Sequence, residues 1–163
     1  MRRLLGFPNP VNEKAARVVA GVVAATCALI LATGWQWLLV LVAYGFWARV
    51  LTGPRLSPLG RFATVVAGPR LGAPRYVPGP PKRFAQAMGV AMSTAALVLG
   101  LVLGLETAAT AVLLVLAAAA SLEAFAGVCL GCEVFRLGMR AGIVPDTVCV
   151  ECADIWSRGR ASA

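Results

Sequence analysis

The chain has 163 residues, 60% of them apolar and only 13% charged, with a net charge of +8. A soluble domain is usually about 45–50% apolar and about 25% charged, so this balance excludes an ordinary soluble enzyme and points to a bilayer. There is no histidine, which closes every mechanism that needs an imidazole base.

The chain opens on a short proline-punctuated lead, GFPNPVN. A basic start before an apolar run also suits a signal peptide, but no small-x-small cleavage site follows cleanly. Asn12 reads instead as the cap of a first membrane helix, about residues 15–33. A second apolar segment, WQWLLVLVAYGFWARVL, covers about 35–51. Joined into one helix the two would span roughly 50 Å, so a hairpin turning at Thr33-Gly34 is expected. Trp35 and Trp37 then mark one interface, and Tyr44, Phe46 and Trp47 the other.

Residues 53–83 hold seven of the ten prolines and read as a loop. Within it SPLGRFATVVAG suits a short interfacial helix, with Ser57 as cap and Pro58 in the first turn. The remainder should be extended and turn-rich. It reads as a linker lying on the headgroups, or as an ordered lid near the cysteines that follow. Two longer spans come next, about 84–105 and 108–128. Each has about 21 residues, enough for roughly 30 Å of hydrocarbon. Gly21-x-x-x-Ala25, Gly100-x-x-x-Gly104 and the run Ala117 to Ala120 allow close helix packing. Such faces serve equally within one chain or between copies, so a homo-oligomer is allowed.

All fifteen Lys and Arg residues precede or open the first span, lie between the second and third or at their edges, or follow the fourth. The connections at Gly34 and at Glu106-Thr107 carry none. By the positive-inside rule this describes an all-α integral membrane protein, a single domain of four transmembrane helices. Both termini, the loop 53–83 and a cysteine-rich tail 129–163 are expected on the cytoplasmic side of the membrane. The positive charge is a topology signal, with attraction to anionic headgroups as a consequence; nucleic acid is not an expected partner.

The tail carries CLGCEVFRLGMRAGIVPDTVCVEC, two C-x-x-C pairs with sixteen residues between Cys132 and Cys149. A permanent structural disulfide is disfavoured in a reducing cytosol. A tetrathiolate zinc site formed by Cys129, Cys132, Cys149 and Cys152 falls within the usual spacing. Arg136, Arg140, Arg158 and Arg160 would balance its two net negative charges. The spacing matches no standard iron–sulfur run. Thiol chemistry is the third reading. If Asp146 caps a helix, Cys149 sits in its first turn, where the dipole favours thiolate, and Cys152 lies on the same face. Cys149 would then attack and Cys152 resolve. Cys129 and Cys132 are expected at the C-terminal end of a helix, as a less acidic acceptor or donor pair for electrons or a sulfur atom.

Glu123 is the only ionisable residue well inside a span, about 24 Å from Thr107. It reads as a partner of Arg17, Arg49 or Arg136 at the interface, or as a proton acceptor for the thiols. On a straight helix Cys129 lies about 120° from its face, which a break at Gly127 would repair. Cys27 reads as a small packing residue.

FPNPVNEKAARVVAG, RVLTGPRLSPLGRFA, VPGPPKRFAQAMG and LEAFAGVCLGCEVF…VCVECADIW resemble a family of bacterial integral membrane proteins, common in actinobacteria and classified as a domain of unknown function. The resemblance covers nearly the whole chain and departs nowhere. It implies no activity. Members resemble genomic neighbours of thioredoxin-like proteins and sulfurtransferases, which implies partners in thiol or sulfur metabolism. The leading expectation is a membrane-anchored thiol-redox or sulfur-handling component. The alternatives are a non-enzymatic protein whose zinc site docks a soluble partner, and a small transporter with Glu123 and the thiols along its path.

Overall fold

The computed structural model describes residues 6–149 and residue 152. Arg2, Arg3, Arg158 and Arg160 lie outside the described residues.

Asn12 accepts from the Lys14 backbone N–H at 3.0 Å and opens α1, Glu13–Thr33. Glu13 in its first turn favours the positive end of the helix dipole. The helix stops at Gly34, whose φ of 72° is costly for any residue with a Cβ, and the Gly34 N–H closes on the Ile30 carbonyl. This is the expected hairpin. Short turns through Trp35–Trp37 delay α2 until Leu38, and it ends at Thr52.

The connecting loop is more ordered than a bare linker. Ser57 caps α3, Pro58–Phe62, by accepting from the Gly60 N–H at 3.1 Å. A π turn, Ala63–Ala67, leads into α4, Gly68–Arg70. This segment packs on the start of α1. Two short strands then pair antiparallel, β1 (Val11–Asn12) with β2 (Tyr76–Val77), tying the loop to the lead.

The third helix begins earlier than its hydrophobicity indicates. α5 runs Gly79–Leu97 and continues through a π turn, Val98–Val102. Prolines suit a first helical turn, where no intrahelical N–H is needed, so Pro80 and Pro81 start the helix rather than delay it. Lys82 is thereby drawn onto the helix. α6, Glu106–Ser121, also ends in a π turn, Leu122–Ala126.

Among the described residues, three helical stretches are long and apolar enough to cross a membrane: Glu13–Thr33, Gly79–Val102 and Glu106–Ala126. α2 is apolar but has 15 residues, about 22 Å against roughly 30 Å of hydrocarbon. α1 packs on α6, α6 on α5 and α5 on α2, with a lighter α1–α2 contact closing the bundle. The core holds Cys27, Ile30, Leu39, Phe46, Leu113 and Leu116, and Cys27 is wholly buried, the packing role expected of it. Gly89 lets the Phe46 ring lie directly on α5, and Gly100 brings Ala109 of α6 close. Leu41, Trp47, Val102, Val115 and Phe125 face outward. An apolar exterior of this kind suits a lipid surround.

Because the long helices alternate in direction, their basic ends coincide. Arg17, Arg49, Lys82 and Arg83 gather at the end that also carries the loop and the residues after α6. The opposite end, at Gly34 and Leu105–Glu106, has no Lys or Arg.

Candidate functional site

The path from α6 to the first cysteine pair is set by one glycine. Gly127 has φ 71° and breaks the helix. Cys129 follows in an extended conformation and is the N-cap of α7, Leu130–Arg140, with Cys132 in the first turn. The sequence places this pair at the C-terminal end of a helix, and the fold corrects that: the apolar run that looks continuous through Val128 is cut at Gly127. The helix dipole therefore favours thiolate at the N-cap residue Cys129. Their sulfurs stand 2.7 Å apart. Cys129 is buried and Cys132 half-buried.

Close packing holds the pair in place. A Cβ on Gly131 would lie 2.6 Å from both Cα and Cβ of Ala85, so only glycine lets α7 approach α5 this closely. One turn on, Phe135 packs against Phe84 with ring centroids 5.7 Å apart. Leu130, Val134 and Leu137 leave an apolar stripe of α7 exposed.

Glu123 sits beside these thiols and is paired with Lys82, not with the arginines expected from sequence. Lys82 Nζ meets Glu123 Oε1 at 2.6 Å, with side-chain exposures of 8% and 15%. Arg17 instead caps the end of α6, donating to the carbonyls of Ala124 and Phe125 at 3.2 and 2.9 Å. Arg136 pairs with Glu133 on the exposed face of α7. Arg49 is buried, donates from Nε to Gln86 Oε1 at 2.9 Å and lies 4.7 Å from the Phe46 ring centre. Its Nη2 is buried without a hydrogen-bond partner.

Electrostatics separate the two thiols. The S–H that Cys132 donates holds the Cys129 thiol below the ordinary cysteine range. Lys82 adds to this, while burial and Glu123 oppose it. The same sulfur–sulfur pairing, with burial, pushes Cys132 up. A lowered thiol beside a raised one is the pattern of an attacking cysteine with its resolving partner.

Two cavities meet at this end. The smaller, about 140 Å³, is lined by Glu123 and Cys129 together with Arg49, Gln86 and α1. The larger, about 740 Å³, lies among the lead, the loop and the starts of α1 and α5. Ala16, Val19, Arg49 and Gln86 line both.

The second cysteine pair is built differently from its expectation. Asp146–Val148 forms a single 3₁₀ turn, so Cys149 does not occupy the first turn of an α-helix. Cys152 is itself helical, and its N–H donates to the Cys149 carbonyl at 3.0 Å. Cys149 and Cys152 are joined in a disulfide, the state that the reducing-cytosol argument disfavours. Among the described residues no three metal-ligating side chains come together. Sequence reading missed Lys82, Gln86 and the position of Arg49. Lys82 had one available signal: it follows Pro80-Pro81, which suit the first turn of a helix.

Together these features describe a helical protein built to sit in a membrane, with a polarised thiol pair and a buried ion pair at its basic end. The chain belongs to the family described as a domain of unknown function, DUF4395, whose model matches residues 11–140. The matched stretch takes in Lys82, Glu123, Cys129 and Cys132 and ends before Cys149. No curated protein and no solved structure matches the chain.

Proposed function

We propose that this is a four-span protein of the bacterial plasma membrane, with both termini cytoplasmic, and that it passes reducing equivalents between its two cysteine pairs and a soluble thioredoxin-like or sulfurtransferase partner. The observation that carries the reading is the Cys129–Cys132 pair at a helix N-terminus, with unlike thiols 2.7 Å apart. A reducing cytosol permits disulfides that are transient and catalytic. The basic end supplies the cytoplasmic face under the positive-inside rule. α2, with the turns before it, completes the fourth span.

In this reading the nucleophile moves from Cys149 to Cys129. The Cys129 thiolate attacks one sulfur of the Cys149–Cys152 disulfide, forming a mixed disulfide and releasing the other tail sulfur as thiolate. The Cys132 thiol gives its proton to Glu123 and attacks Cys129 Sγ, releasing the second tail thiolate. The products are a Cys129–Cys132 disulfide and a tail dithiol, which has gained two electrons and, by way of Glu123 and solvent, two protons. The tail dithiol then reduces a disulfide on the partner by the same exchange and returns to its own disulfide, and a second, soluble dithiol re-reduces the Cys129–Cys132 disulfide by the same chemistry, itself becoming a disulfide.

The test is to trap the intermediate. Cys132→Ser should accumulate a mixed disulfide from Cys129 to Cys149 or Cys152, seen by peptide mass spectrometry after acid quench. Cys129→Ser should accumulate none. Equal trapping in both variants, or none in either while the fold is kept, would refute the exchange.

A further inference from the structure

We infer that the large cavity at the basic end binds a small, largely apolar molecule bearing one acid group, and that Arg49 holds that group. The charge count motivates this. Arg49 and Lys82 are buried cations that both line the large cavity, no acid is among its described lining residues, and Glu123, paired with Lys82 at 2.6 Å, lines the small cavity instead. Arg49 has no ion pair of its own among the described residues. A buried charge without a partner is costly, and proteins normally compensate it.

Arg49 is also prepared for an occupant. It is 6% exposed and lines the large cavity, Gln86 fixes its Nε, and Phe46 supports the guanidinium. That orientation is already set before anything binds, as a guanidinium needs for planar acid groups. The walls around it are apolar, among them Pro8, Val11, Val19, Pro54 and Pro74. A volume of about 740 Å³ lies within the range of small-molecule sites. A carboxylate, phosphate or sulfur oxyacid on an apolar body fits both features. The acid could belong to a lipid of the bilayer or to a soluble metabolite. The site stands independently of the thiol exchange. Because both cavities share Arg49 and Gln86, its occupant would lie next to the space in front of Cys129.

The experiment is isothermal titration calorimetry of octanoate into the full chain in phosphatidylcholine nanodiscs, with empty discs subtracted. Wild type should bind saturably. Arg49→Gln should bind about ten- to hundredfold more weakly, the loss of one charge-assisted contact. Arg136→Gln, on the exposed face of α7, should bind like wild type. If Arg49→Gln does not fold, Thr64→Trp, which narrows the cavity from its wall, decides: weakened binding supports the site and unchanged binding overturns it. No saturable binding to wild type, or equal binding to a folded Arg49→Gln, also overturns it. Adding phosphatidylglycerol to the discs separates the two sources. A weaker octanoate response in wild type alone places a lipid headgroup at Arg49, and an unchanged response leaves the soluble acid as its ligand.

Discussion

Replacing Lys82 with Met removes one charge and keeps the length of the side chain. It leaves the Glu123 carboxylate, 15% exposed, facing the apolar ends of α1 and α5 without its 2.6 Å partner. Breaking a buried pair from one side typically costs about 3–5 kcal/mol. Arg49 lines the same small cavity as Glu123 and offsets part of the loss, so about 3 kcal/mol is the expected value. For a chain of this size each kcal/mol corresponds to about 2–4 °C, giving a fall in Tm of roughly 6–12 °C. Adding Glu123→Gln removes the stranded charge, and the double variant should return to within about 1 kcal/mol of wild type. The assay is thermal unfolding in dodecyl maltoside, followed by tryptophan fluorescence. A Lys82→Met shift under about 2 °C, or a double variant at least as unstable as the single, would refute the buried ion pair as described.

Cys129 should alkylate with a pH midpoint below the ordinary cysteine value of about 8.5, because its thiol is lowered. By the same sign, the stability this thiolate contributes is present above the unfolded pKa and is lost as pH falls through the folded one. Lys82→Met should raise the midpoint; a midpoint that stays put would show that the ammonium does not act on this sulfur. Gly131→Ala should cost about 1–3 kcal/mol by overpacking against Ala85, and should slow formation of the trapped Cys132→Ser intermediate more than it lowers Tm. Metal analysis of protein purified anaerobically without chelator should find less than one zinc per chain. One zinc retained through gel filtration would favour the tetrathiolate site and displace the exchange. Single cysteines introduced at Arg83 and at Thr107, in a chain otherwise free of cysteine, should label from opposite sides of intact cells, Thr107 from outside. Labelling of Arg83 from outside would invert the proposed topology.

The helical segments, the hairpin at Gly34 and the caps at Asn12 and Ser57 were legible in the sequence, because each rests on a local cause. A run of apolar residues, a glycine that tolerates positive φ, and a side chain within reach of nearby N–H groups act over a few residues. The gathering of basic residues at one end was legible for a related reason: helices of similar length that alternate in direction must place every second connection together. The thiol pair was legible as a motif but not as a site. Whether Cys129 ends one helix or begins the next turns on Gly127, and its break is decided by how α7 packs on α5 through Gly131 and Phe135. Likewise Glu123 had three arginines as equally plausible partners along the chain. Its pairing with Lys82, 41 residues away, follows from helix rotation within the bundle and from where two prolines start α5. The sequence alone determined which residues enter the membrane-like bundle and which carry chemistry. Only tertiary packing decided which of them meet, because long-range contacts depend on the relative rotation and depth of helices that no local pattern encodes.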